Sequence, residues 1–184
     1  YTEGGFRDWG YELAEKEFGA VKNNMGYYEI TADKKINGGN NKLIIKDMIA
    51  DAFLQDILLN PKDHDVVATL NLNGDYISDA LAAQVGGIGI SPGANLSDTT
   101  AIFEATHGTA PSIAGMNIAN PSSLILSAQM MLEHIGWVKA SEVLNGSFEK
   151  TLKEQQMTSD LATKIEGCKS LSTNEFATAL IANM

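Results

Sequence analysis

The sequence predicts an α/β fold, and three observations predict it. Short apolar runs suited to strands, Val66-Val-Ala-Thr-Leu70 and Ala101-Ile-Phe103, are separated by longer segments with apolar residues at helical spacing. One such segment, residues 121–135, sets Leu124, Ile125, Ala128, Met131, Leu132 and Ile135 on one side, behind Pro121 at its start. Between these classes lies Gly86-Gly-Ile-Gly-Ile-Ser-Pro-Gly-Ala-Asn95, which reads as a glycine-rich turn and a short strand.

In chain order, Thr2–Phe18 reads as a helix whose apolar face is Phe6, Trp9, Leu13 and Phe18, with Arg7, Glu12, Glu15, Lys16 and Glu17 on the polar side. Residues 21–42 are polar and read as a loop with short strands or a hairpin, including Tyr27-Tyr-Glu-Ile-Thr31 and the turn-forming Asn37-Gly-Gly-Asn-Asn41. Residues 45–58 fit an amphipathic helix through Ile45, Met48, Ile49, Ala52 and Phe53, ended by Asn60-Pro61. Residues 65–72 read as a strand and 77–85 as a helix. A strand over 100–105 follows, then helices over 121–135, 139–152, 158–169 and 174–182.

Composition narrows the function. With 44% hydrophobic and 20% charged residues, the chain is globular rather than disordered. A net charge of −10 argues against a nucleic-acid partner, because phosphate binding relies on Lys and Arg. No apolar run reaches the roughly 18–20 residues that span a bilayer. The lone Cys168 rules out an intrachain disulfide, and no targeting segment is visible, so the expected location is cytoplasmic. Only one arginine, Arg7, is present, whereas a site gripping a multiply charged acid ordinarily uses several cations.

The motif richest in chemistry is Asn71-Leu-Asn-Gly-Asp-Tyr-Ile-Ser-Asp79. Asp75 and Asp79 stand four residues apart at the expected strand-to-helix junction, where ligands bind in open α/β sheets. Two such carboxylates suit a hard divalent cation. Taken alone, the pair reads more simply as an N-cap at Asp75 and a solvated helix position at Asp79. Asp51, on the polar side of its helix, joins them only if the fold or a partner subunit brings it there.

A second motif, Glu104-Ala-Thr-His-Gly-Thr-Ala-Pro111, runs from a strand into a loop of small and hydroxylic residues. Gly108 lets backbone approach a ligand, and Thr106, Thr109 and backbone N–H groups suit phosphate oxygens. His107 either contacts a base or ribose or is an ordinary turn histidine. Glu104 either pairs locally or accepts from an amide. Asn120 offers the donor and acceptor that an adenine edge requires, or simply starts a helix. The glycines at 86, 87 and 89 follow a helix, not a strand, so they are read as turn and packing residues rather than a dinucleotide fingerprint.

Taken together, the run from Asn71 to Gly89, Glu104–Pro111 and Asn120-Pro121 closely resembles the decarboxylating β-hydroxyacid dehydrogenases, and most nearly the bacterial isocitrate dehydrogenases. The likeness runs from Tyr1 to the C-terminus and is weak over 20–42 and 139–165. It implies an isocitrate/isopropylmalate dehydrogenase-like two-domain α/β fold with a non-Rossmann nucleotide site, working as a homodimer. Residues 1–85 would be part of a small, dimer-forming domain, and 86–184 the C-terminal part of a large, nucleotide-binding domain. The catalytic lysine would immediately precede Tyr1, and the tyrosine and serine–arginine cluster that hold the substrate would lie earlier still.

Residue by residue, the resemblance makes Asp75 and Asp79 metal ligands and Asp51 the aspartate that reaches the same Mg²⁺ or Mn²⁺ across the dimer. Asp51 and Asp75 would also serve the chemistry. The cofactor residues would be Glu104, beside the nicotinamide, then Thr106, His107, Gly108, Thr109, Ala110, Pro111, Ser112, Ile113 and, at the adenine, Asn120. NADP-dependent members carry a lysine and a tyrosine where this chain has Ser112 and Ile113. They carry a tyrosine and an arginine where it has Ser159 and Thr163, and a cross-dimer arginine where it has Asn60. A 2′-phosphate needs cations, and none of these positions supplies one. Ile113 and Ala119 look like NAD-dependent relatives, so NAD is favoured over NADP; nearby Lys164 keeps NADP open.

The expected function is metal-dependent oxidative decarboxylation of isocitrate, a small tricarboxylate, to 2-oxoglutarate in the tricarboxylic acid cycle. A relative acting on isopropylmalate, homoisocitrate or tartrate is the enzymatic alternative. A catalytically incomplete nucleotide-binding fragment is the other, and the 184 residues alone are expected to be inactive.

Overall fold

The computed structural model describes residues 1–36 and 40–184; residues 37–39 of the expected Asn/Gly turn lie outside the described residues. The chain divides into two compact units, Tyr1–Ile77 and Ser78–Met184.

In the first unit, α1 (Thr2–Phe18) ends at Gly19, whose left-handed conformation (φ 65°) lets the cap N–H reach the carbonyls of Ala14 and Glu15. A three-stranded antiparallel sheet follows in the order β1 (Val21–Lys22), β2 (Tyr28–Ile36), β3 (Asn40–Ile45). Then come α2 (Ala50–Leu59) and the first part of α3 (Asn71–Val85). The expected face of α1 is not covered within the described residues: Trp9, Leu13 and Phe18 are exposed, and only Ala14 is buried.

Two expectations fail here. The helix expected over 45–58 starts only at Ala50, because Lys42–Ile45 pair with Tyr28–Thr31 across the sheet. Ile44 and Ile45 are β-branched and suit that ladder, which outweighs their helical spacing to Met48 and Ile49. The strand expected over 65–72 is absent. No described strand pairs with it, and an unpaired strand leaves its backbone groups without partners. Val66 is exposed, and the helix begins at Asn71, with the Gly74 N–H already bonded to the Leu70 carbonyl at 2.8 Å.

In the second unit, the glycine-rich segment turns through Gly86 and Gly87, both at positive φ (140° and 117°). It enters an antiparallel hairpin, β4 (Pro92–Leu96) and β5 (Ala101–Ala105), against which α4 (Ser122–His134) packs. α5 (Val138–Lys153) and α7 (Thr173–Ala182) build the core from Phe148, Phe176 and Leu180, with Leu171, and Phe148 meets Phe176 edge-on at 6.2 Å. The helix expected over 158–169 is instead β6 (Gln156–Thr158), the single turn α6 (Ser159–Ala162) and the parallel partner strand β7 (Lys169–Leu171). The pairing of β6 with β7 decides this, since sequence periodicity cannot report a non-local partner. α7 starts on a capping box: Ser172 accepts from the Glu175 N–H, and Glu175 accepts from the Ser172 N–H, which holds the Glu175 carboxyl below its usual range.

Candidate functional site

The loop that leaves β5 is anchored by two serines of α4. Ser123 and Ser127 are fully buried and one helical turn apart, so both face the hairpin. The Ser127 hydroxyl accepts from the Gly93 N–H at 3.1 Å and shares its proton between the carbonyls of Glu104 (2.8 Å) and Ser123 (2.7 Å). The Ser123 hydroxyl donates to the Ser91 carbonyl and accepts from the Thr106 N–H at 3.3 Å. Thr106 Oγ1 donates to that same Ser91 carbonyl at 3.1 Å. At Gly93 the strands run so close that a Cβ would stand 2.9 Å from the Glu104 carbonyl, so only glycine fits.

Beyond this anchor the loop opens. Thr109, Ala110, Pro111 and Ser112 are exposed, and His107 and Ile113 are half-buried. Ala110 adopts a left-handed conformation (φ 43°) ahead of a 3-10 turn over Pro111–Ile113. His107 Nδ1 lies 2.9 Å from the Gly108 carbonyl, which can only accept, so the neutral ring carries its proton on Nδ1 and leaves Nε2 as an acceptor. Glu104 Oε1 accepts from Asn95 Nδ2 across the hairpin at 2.8 Å.

Asn120 is set by partners on both ends of its amide. Oδ1 accepts from the Ser122 N–H at 3.0 Å, and Nδ2 donates to Asp160 at 3.0 Å. The other Asp160 oxygen accepts from buried Thr158 at 2.6 Å. Gly89 lines this cluster: a Cβ there would meet the Asn120 side chain at 3.3 Å. The backbone between loop and Asn120 is tied down by α7, with the Ala119 carbonyl accepting from Thr173 Oγ1 at 2.6 Å and the Asn117 carbonyl from the Thr173 N–H at 2.9 Å. Lys164 Nζ donates to the Gly86 carbonyl at 3.2 Å.

The structure therefore sets Glu104 near the end of β5, Thr106 and His107 on the anchored loop that follows, and Asn120 just ahead of α4. Sequence reasoning missed Ser91, Gly93, Ser123, Ser127 and Asp160. The four-residue spacing of Ser123 and Ser127 on either side of the apolar Leu124-Ile-Leu126 was a usable signal for two of them. Asp160 gave none, because its link to Asn120 spans 40 residues.

The three aspartates stand as follows. Asp75 and Asp79 are exposed on α3, four residues apart, the spacing of neighbours along a helix. The division between the compact units falls between them. Asp51 is exposed in the first turn of α2, where its Oδ1 accepts from the Ala52 N–H at 2.6 Å. Among the described residues no three His, Cys, Asp or Glu side chains stand close enough to hold a metal ion. The donor set itself, carboxylate oxygens alone, suits a hard divalent cation.

The model of the isocitrate/isopropylmalate dehydrogenase family matches residues 17–180. The chain belongs to this family. All 184 residues align at 56% identity with an isocitrate dehydrogenase [NADP] of Helicobacter pylori, covering 43% of that protein. Identity is 54% with the isocitrate dehydrogenase [NADP] of Coxiella burnetii, over 100% of the chain and 42% of the relative. The chain thus spans less than half the length of these curated relatives. Among solved structures, the isocitrate dehydrogenase of Methylococcus capsulatus superposes with a TM-score of 0.77 at 31% identity, over 98% of this chain and 45% of that one. The Thermus thermophilus protein TT0538 superposes with a TM-score of 0.68 at 34% identity, over 74% and 27%. The fold is thus that of this family, seen in part. The named relatives are NADP-type and do not support the expected preference for NAD.

Proposed function

We propose that the chain supplies the metal and cofactor residues of an isocitrate dehydrogenase that oxidatively decarboxylates isocitrate to 2-oxoglutarate with a nicotinamide cofactor. The observation that carries this reading is the 56% match along all 184 residues to a protein so named. Asp75 and Asp79, with the partner subunit's Asp51, would hold Mg²⁺ or Mn²⁺, and their all-oxygen chemistry supports that choice. When bound, the cation supplies Lewis-acid polarisation of the substrate's hydroxyl and carboxylate oxygens. One of Asp51 and Asp75 would take the hydroxyl proton, with the hydride going to the nicotinamide and the carboxylate lost as CO₂. The loop from Glu104 to Ile113 would seat the cofactor, and Asn120, pre-oriented by Asp160 and Ser122, would meet its adenine.

The relatives' names make NADP the first reading for the cofactor. NAD is the second, because Asn60, Ser112, Ile113, Ser159 and Thr163 bring no cation, and Lys164 Nζ is engaged with the Gly86 carbonyl. Residues 1–85 would join a small domain and 86–184 a large one. Leu54, Leu58, Leu124 and Ile135, all exposed, support burial in a homodimer.

The test uses the longest polypeptide encoded with these 184 residues, assayed for isocitrate-dependent reduction of NADP and NAD in Mn²⁺. Turnover is expected there and not from the 184 residues alone. Asp75→Asn should abolish turnover and leave the circular dichroism spectrum unchanged. Wild-type rates for Asp75→Asn would refute the metal assignment, and comparable kcat/KM for both cofactors would refute a phosphate-selective site.

A further inference from the structure

We infer that Tyr11 is a positioning residue for Asp51, acting through Asp47, a role that rests on the metal assignment of Asp51 above. α2, which carries Asp51 in its first turn, is joined to β3 by residues 46–49, which have no regular structure and are largely exposed. The N-cap residue of α2, Ile49, has no side-chain oxygen to anchor the helix start. The position of the first turn therefore depends on what holds this link.

Tyr11 of α1 holds it. Its hydroxyl donates to Asp47 Oδ1 at 2.5 Å and accepts from the Asp47 backbone N–H at 2.7 Å. One phenol thus fixes both the side chain and the peptide of one residue, 36 positions away in sequence. Among the described residues, no other side chain from outside the link hydrogen-bonds to it. The phenol is itself held: its ring stacks on Tyr28 at 4.5 Å and 25°, and Tyr28 pairs with Ile45, the last residue of β3. The circuit from α1 through β2 and β3 returns to Asp47, four residues ahead of Asp51 in the chain. Burial and the bond to Asp47 push the Tyr11 phenol up to about 12, which keeps the donating proton in place at neutral pH.

Direct Mn²⁺ binding, read by electron paramagnetic resonance without turnover, tests this on the same longest polypeptide. Tyr11→Phe keeps the ring stack and should weaken Mn²⁺ binding about tenfold, the scale of lost outer support at metal sites. Asp47→Ala should follow it, whereas Asp47→Asn, which keeps an acceptor oxygen, should restore most of the affinity. Cofactor binding should not change in any of the three. If Asp51→Asn abolishes Mn²⁺ binding while Tyr11→Phe and Asp47→Ala bind like wild type with only a lower Tm, the tyrosine is structural and the inference falls. Equal losses in Asp47→Asn and Asp47→Ala would mean that Asp47 acts by charge, which also overturns it. If Asp51→Asn itself binds Mn²⁺ normally, the metal assignment of Asp51 fails first and the positioning role fails with it.

Discussion

The two compact units are held together by different means. Ser78–Met184 has a contiguous core in which Phe176 and Leu180 are all but inaccessible, and its buried serines and threonines are hydrogen-bonded save for the Ser122 hydroxyl. Among its described apolar residues Tyr1–Ile77 buries only Ala14, Ala20, Phe53 and Ile57, and it exposes Trp9, Leu13, Phe18, Leu54 and Leu58. Its order comes instead from polar clamps. Tyr11 grips Asp47, and Asp56 accepts from Asn60 at 2.8 Å and lies 2.8 Å from His64, contacts that keep its carboxyl below the usual range. A unit with its own core can set a loop by itself. A unit built on clamps and uncovered apolar faces depends on what it docks against, which suits a segment proposed to complete its site with a partner subunit.

Three changes test this contrast. The largest effect is expected for Phe176→Ala, which empties the centre of the second unit's core and should cost about 3–5 kcal/mol. The chain's two tryptophans separate the readouts, since Trp9 lies in the first unit and Trp137 in the second. Denaturant titration in a Trp9→Phe background should show the Trp137 transition shifting, while in a Trp137→Phe background the Trp9 transition should stay in place. Movement of both together would mean that the units fold as one.

Ser127→Ala comes next. It removes the acceptor for the Gly93 N–H and the donor to Glu104, and leaving such buried groups unpaired costs about 1–3 kcal/mol. Because that hydroxyl anchors the proposed cofactor loop, the KM for the nicotinamide cofactor should rise more than kcat falls, measured on the longest polypeptide. An unchanged KM would separate the serine anchor from the cofactor site.

The smallest effect is a pH dependence confined to the first unit. The folded Tyr11 phenol, raised to about 12 from 10.0, favours the protonated form in the native state. Its contribution is therefore complete below about pH 10 and is lost as pH rises through about 12. The Tm reported by Trp9 should fall over that window, and Tyr11→Phe should flatten this part of the profile. An identical alkaline fall in the variant would assign it elsewhere.

Local chemistry made much of this molecule legible. α1, α4, α5 and α7 stand where helices were expected, Pro121 marks a helix start, and β5 runs into its loop as its composition foretells. Glu104–Pro111 stood out as a candidate ligand loop because small and hydroxylic residues cluster around Gly108. What failed was non-local. The segment 65–72 was expected as a strand but has no described strand to bond, 158–169 splits because Gln156–Thr158 finds Lys169–Leu171, and Ile45 goes to the sheet because Tyr28 lies opposite.

By itself the sequence determined the family, the helices with strong periodicity, and the identity of the acidic and loop residues that could serve a site, because those depend on side-chain type and short-range spacing. Only the tertiary structure decided which serines anchor the loop, that Asp160 orients Asn120, and that Tyr11 reaches Asp47. Each of those links joins residues far apart in the chain, and hydrogen bonds of that span exist only once packing has brought their elements together.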